Sequence, residues 1–222
     1  MRFDSQSSYM QSVFPWQWRE GQRPDGIILV DSFAEAGRDG YRGSYMRDLL
    51  QYIWWRTGQW FTCIQWNGAG AKELHVCARK AADRWGTVDK VLIISMGNDV
   101  YQTARKGIFN AEVVSAIVAE LTALCRYAVE YLAPACMVIY GGSALTWSYD
   151  GSRGFADIYD RYCRSVCAGL LRKGIQVSTG ANALGRLSIL DRIGHVHGGS
   201  MNVVFEAYVN WIFRMSVPRA KL

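Results

Sequence analysis

Gly26-Ile27-Ile28-Leu29-Val30-Asp31-Ser32 is the stretch from which the fold can be read. Four aliphatic side chains follow one another without a polar interruption, and the run stops at an acidic residue and a serine. A strand with one wet face would alternate apolar and polar residues. An unbroken run of this length, bounded by turn formers, is the pattern of a strand covered on both faces, as in a parallel sheet.

The pattern recurs at Trp60–Trp66, Lys90–Ser95, Cys136–Tyr140 and Ile175–Ser178. Between these runs, Tyr45–Arg56, Lys72–Trp85, Ala111–Leu132, Asp157–Arg172 and Ser200–Phe213 carry apolar residues three and four apart, the period of a helix with one buried stripe. Strands that alternate with helices form βαβ units, whose right-handed crossovers make the sheet parallel. The expected fold is therefore α/β, a three-layer, flavodoxin-like sandwich with a five-stranded, mostly parallel sheet. Residues 1–24 stand outside the alternation and are read as an N-terminal extension, with the α/β domain over 25–222. The aromatic run Phe14-Pro15-Trp16-Gln17-Trp18 in that extension suits packing on the domain surface or contact with a partner.

Composition narrows the functional classes. The 222 residues are 50% hydrophobic and 20% charged, the balance of a globular chain with a buried sheet. Its most apolar region, residues 111–141, is interrupted by Glu120, Arg126, Glu130 and Pro134, so no membrane span of about 20 apolar residues is expected. Asp4 and its polar neighbours break any signal-peptide core, which favours the cytoplasm or another reducing intracellular compartment. The cysteines at 63, 77, 125, 136, 163 and 167 lie in apolar surroundings and lack metal-ligand spacing, so they read as buried thiols and no metal is expected. The net charge of +6 is spread singly along the chain, so no nucleic-acid partner is expected.

In open parallel sheets, ligands lie beyond the carboxyl ends of the strands. Four such loops carry reactive or ligand-binding residue types. Ser32 follows the first strand and can present its hydroxyl there, although serine is also a common turn former. Asn67-Gly68-Ala69-Gly70-Ala71-Lys72 follows the second strand, with small residues ahead of a helix start. Glu73 occupies the position where a dinucleotide fingerprint needs its third glycine, so no nucleotide cofactor is expected. Met96-Gly97-Asn98-Asp99 follows the third strand, its amide suited to an oxyanion and its Asn-Asp pair equally suited to an Asx turn. The last loop, Asp191-Arg192-Ile193-Gly194-His195-Val196-His197, holds two of the three histidines, with an acid within a turn of them.

Ser after strand one, glycine after strand two, Asn-Asp after strand three and Asp-then-His before the last helix together resemble the SGNH, or GDSL-like, hydrolase superfamily over roughly residues 25–214. The resemblance implies a serine esterase or acyl hydrolase acting on a small-molecule ester. In this chain it implies Ser32 as nucleophile, His195 as base and Asp191 as its orienting acid. The oxyanion hole would comprise the Ser32 amide, Gly70 (with Gly68 as second choice) and Asn98, while Asp99 shapes the loop. His197 is the alternative base. The sequence departs from the family pattern at three points: Val30 and Met96 replace glycines, and Asp191 precedes His195 by four residues rather than three. A non-catalytic binding or scaffold protein of the same fold is the alternative reading. Tyr101, Trp147 and Tyr149 are placed to line a pocket or to anchor its loops.

Overall fold

The computed structural model describes residues 10–15, 17–31, 45–95, 97–141, 153–179 and 201–215. Its elements in chain order are β1 (Met10–Val13), β2 (Gly26–Val30), α1 (Tyr45–Thr57), β3 (Phe61–Trp66), α2 (Ala71–Trp85), β4 (Lys90–Ser95), α3 (Asn98–Arg105), α4 (Ala111–Tyr131), β5 (Ala135–Tyr140), α5 (Arg153–Arg172), β6 (Val177–Thr179) and α6 (Met201–Arg214). The strand order is β1-β3-β2-β4-β5-β6. Every neighbouring pair is parallel except β1 with β3.

The aliphatic run of β2 is buried because helices cover both sides of the sheet. Ile27, Ile28, Leu29 and Val30 are all fully buried. Ile27 and Leu29 share one core with Leu74 and Ala78 of α2, Leu121 and Leu124 of α4, and Tyr162 and Val166 of α5. Ile28 and Val30 point into the other core, with Leu49 and Ile53 of α1 and Tyr208 and Ile212 of α6. Each such side chain contributes about 1.5–3 kcal/mol of apolar burial, which is why a residue register this regular is strongly specified. Glu206 ties the second pair of helices together at the surface, accepting hydrogen bonds from Tyr52 and Arg56 of α1.

Two elements depart from the expected alternation. The sheet has six strands rather than five, because Met10–Val13 pairs antiparallel along the outer side of β3 with Met10 opposite Trp66. Beyond it Phe14 packs 5.1 Å from Trp18 and edge-on to Trp85, which ties this segment to the end of α2. Residues 98–105, expected as loop, form helix α3, anchored by buried Val100 and Ala104 and by Tyr101 packed edge-on against Phe155. The other predicted elements begin and end within four residues of the expected positions. No helix among the described residues is long and apolar enough to cross a membrane.

Candidate active site at the carboxyl ends of the strands

Register fixes which loops meet. Val30 is opposite Gln65 on one side and Ile94 on the other, so the end of β2 lies between the ends of β3 and β4. The turns into α2 and α3 therefore flank Asp31, the last described residue before Ser32. Ser32, Asp191, His195 and His197 themselves lie outside the described residues, as do Trp147 and Tyr149. The predicted site residues Gly70, Asn98 and Asp99 are brought together here.

Asn98 spans the gap between the two turns. Its side-chain amide donates to Asp31 Oδ2 and to the Ala69 carbonyl, both at 3.0 Å. Asp31 is fully buried, so this contact ties a carboxylate in the interior to the loop above it. A carboxamide nitrogen has two hydrogens, and both find acceptors here. Asp99, the next residue, accepts the Ala71 N–H at 3.2 Å on each carboxylate oxygen. The Gly70 N–H donates to Glu73 Oε2 at 2.9 Å, one turn further along α2. Sequence reading assigns Asp99 the role of shaping its own loop; in the structure it caps the neighbouring helix.

Glycine is required at two positions, for different reasons. A Cβ on Gly70 would sit 2.2 Å from Asp99 Oδ1, so the close approach of carboxylate and backbone leaves no room for a side chain. Gly97 adopts φ +78°, the left-handed conformation that lets the chain leave β4 and enter α3 at once. Gly68, the second-choice oxyanion glycine, also has positive φ and has open space about its Cα.

The electrostatics of the turn are those of carboxylates held in a partly dry place. Burial raises the Asp99 pKa above its ordinary value; the Ala71 N–H opposes this and the nearby Glu73 charge adds to it. Beneath the turns, Ser95 and Tyr140 stand opposite each other at the ends of β4 and β5. Both side chains are buried, and neither hydroxyl makes a hydrogen bond among the described residues. Burial, then the neighbouring Cys163, Asp99 and Asp31, hold the Tyr140 phenol well above its usual range.

Two partners in this network were missed by sequence reading. Asp31 was visible only as the residue before the serine, and its burial at the end of an apolar strand was the available signal. Glu73 was read as the absence of a glycine rather than as a cap. The third histidine, His75, packs on Tyr127 between α2 and α4 and takes no part in this network; burial lowers its pKa. All six cysteines are buried free thiols. Among the described residues, no three His, Cys, Asp or Glu side chains are grouped to hold a metal.

A three-layer α/β sandwich with its candidate polar site at a strand-end crevice defines a broad class, and comparison with solved structures narrows the fold. The acetylxylan esterase Axe2 from Geobacillus stearothermophilus is similar over 90% of this chain and 98% of its own, with a TM-score of 0.58 and 15% identity. A member of the lipolytic protein G-D-S-L family from Veillonella parvula is similar over 85% and 98%, with a TM-score of 0.57 and 14% identity. LAE5, an alpha/beta hydrolase enzyme from the metagenome of Lake Arreo in Spain, is similar over 84% and 94%, with a TM-score of 0.59 and 16% identity. No protein-family model matches the chain, and no curated protein is similar to it in sequence. The chain thus has the fold of the GDSL-type esterases, consistent with the SGNH resemblance in its sequence.

Proposed function

We propose that the protein is a serine ester hydrolase of the SGNH type, with Ser32 as nucleophile, His195 as general base and Asp191 orienting the imidazole. The observation that carries this reading is the Asn98 carboxamide, held at 3.0 Å from both the Ala69 carbonyl and the carboxylate of Asp31, the residue that precedes Ser32 in the sequence. Ser32 Oγ attacks the ester carbonyl as His195 takes its proton, giving a tetrahedral oxyanion. The oxyanion draws on the amides of Ser32 and Gly70 and the side chain of Asn98, donors typically worth about 3–4 kcal/mol each. Collapse expels the alcohol with the proton from His195, and water then releases the acid from Ser32 by the same steps in reverse order. The acetylxylan esterase among the structural relatives makes an acetylated sugar a reasonable first substrate. The buried free thiols favour a reducing, intracellular setting.

A second reading, a non-catalytic binding protein of the same fold, draws on a specific observation. The Gly70 and Asn98 amide hydrogens already have internal acceptors, so an oxyanion must displace or share them. A fluorophosphonate probe followed by peptide mass analysis separates the two readings. Labelling at Ser32, lost in Ser32→Ala, together with turnover of 4-nitrophenyl acetate, is expected of the hydrolase. Neither labelling nor turnover is expected of the binding protein. His195→Ala should abolish turnover and His197→Ala should spare it; the reverse result would exchange the roles of the two histidines.

A further inference from the structure

The opposite end of the sheet carries a second concave surface that the esterase reading does not use. Asp25, Trp60 and Trp85 lie beside the amino ends of β2, β3 and β4, a full strand length of about 17–20 Å from the crevice at Asn98. A cavity of about 520 Å³ there is walled by Phe14, Trp18 and Trp85, with Glu20, Gln22 and Arg23 among its polar lining. A second, of about 600 Å³, is lined by Trp60, Gln17 and Arg19 and shares Glu20 and Gln22 with the first. Both are of the size that binds small organic ligands.

The aromatic walls are held in place before any ligand arrives. Trp60 stacks on Trp54 at 4.9 Å and an 18° interplanar angle. Arg84 lies over Phe14 at 5.1 Å and Trp85 at 5.0 Å, and its guanidinium donates to Ser12 Oγ. Trp18, Trp60 and Trp85 are each half-buried, so part of each indole packs while part faces the cavities. The side chains of Gln17, Arg19, Glu20, Gln22 and Arg23 make no hydrogen bond or ion pair among the described residues, leaving amides, guanidinia and a carboxylate in the linings that also hold the indoles.

We infer that this surface binds an oligosaccharide, with sugar rings lying on the indoles of Trp18 and Trp60, Trp85 with its Arg84 cover closing the wall, and the sugar hydroxyls bonded to Glu20, Gln22 and Arg23. A pyranose is apolar on its C–H faces and polar at its rim, which matches flat apolar walls edged by both donors and acceptors. Two cavities that share Glu20 and Gln22 in their linings suit a chain of several sugars better than a single one. Single-stranded nucleic acid also stacks on aromatic side chains beside arginines, but the Glu20 carboxylate and the Gln17 and Gln22 amides in the lining offer hydrogen-bond acceptors that sugar hydroxyls can use and phosphates cannot.

Isothermal titration of the full chain with cellohexaose, xylohexaose and hexagalacturonate tests the inference, with a ten-nucleotide oligothymidylate as the competing class. Saturable binding of at least one hexasaccharide is expected, about tenfold weaker in Trp18→Ala and also weakened in Glu20→Ala, whose exposed side chain can be removed without disturbing the core. Absence of binding to all three sugars overturns the inference. So does binding that is unchanged in both variants, or binding of the oligothymidylate alone. Turnover of 4-nitrophenyl acetate by the same variants is read separately and should be unchanged, so a failure of the sugar site and a failure of the esterase reading are distinguishable.

Discussion

The two turns that flank β2 use their residues in opposite ways. The turn into α2 offers backbone: small residues from Gly68 to Ala71, with amide hydrogens at the helix start. The turn into α3 offers side chains, and those of Asn98 and Asp99 reach across to the first turn rather than capping their own helix. A helix N-terminus is a natural anion site. At α2 that site is already filled by two carboxylates, Glu73 on the Gly70 amide and Asp99 on the Ala71 amide. The first turn is thus a preformed anion cradle under internal competition, and the second turn is the clamp that holds it.

Removing the clamp should have the largest effect. Asn98→Ala takes away a donor to the proposed oxyanion and leaves a buried carboxylate, Asp31, short of a hydrogen bond. Turnover is expected to fall roughly a hundredfold or more, and stability by about 1–3 kcal/mol. The cost in turnover follows from the oxyanion role, and the cost in stability from the contact with Asp31. If kcat is unchanged while thermal stability drops, Asn98 is a structural tie and the oxyanion assignment is wrong.

Closing the gap between the turns should come next. Gly70→Ala introduces a methyl 2.2 Å from Asp99 Oδ1, so the carboxylate must swing away from the Ala71 amide. Loss of that charge-assisted bond is expected to cost about 1.5–3 kcal/mol, read as a lower Tm. Gly68→Ala meets no atom and strains only the left-handed backbone, at about 1 kcal/mol. A larger loss at position 68 than at 70 would mean that the two turns are not in contact as described.

The fold was legible where burial imposes a simple pattern and not elsewhere. Gly26–Val30 and Lys90–Ser95 match the observed strands end to end, since a strand covered on both faces shows as a continuous apolar run. β1 was missed because Met-Gln-Ser-Val is four residues at the sheet edge, too short and too polar to show a period. α3 was missed because Asn-Asp after glycine reads as a turn and only Val100 and Ala104 commit its eight residues to the core. The positions of Gly70, Asn98 and Asp99 were legible from the rule that ligands sit beyond strand ends. Their partners were not, because Asn98 and Asp31 are 67 residues apart and only the sheet register brings them together.

Relieving the competition at the cradle should have a smaller effect, of opposite sign for activity and stability. Glu73→Ala frees the Gly70 amide from its only acceptor among the described residues. The helix loses its cap and a favourable charge at its N-terminus, which together are worth roughly 0.5–1.5 kcal/mol. Turnover should nevertheless hold or rise a few-fold, because the amide no longer has to exchange one acceptor for another as the oxyanion forms. A clear fall in kcat with an intact fold would place Glu73 among the groups that assist the reaction.

The smallest expected effect is a change in the pH dependence of stability, and it isolates the electrostatics of Asp99. Its pKa in the folded protein is raised above the ordinary 3.8, with burial the largest cause. A raised carboxylate pKa means that the folded state holds the proton more tightly than the unfolded state. Its contribution to stability is therefore present in full below 3.8 and is lost as pH rises through the folded-state value. Asp99→Asn keeps the shape and an oxygen to accept the Ala71 N–H but cannot titrate, so it escapes that loss. The difference in Tm between Asp99→Asn and the natural chain should increase as pH is raised from about 3 towards 7, with the contributions of other groups cancelling between the two proteins. A difference that shrinks over this range would mean that the Ala71 amide and the α2 N-terminus favour the ionised carboxylate by more than burial opposes it. The cradle would then be a built anion site that Asp99 fills at a profit in stability, and the competition argued for Glu73 would apply to Asp99 as well.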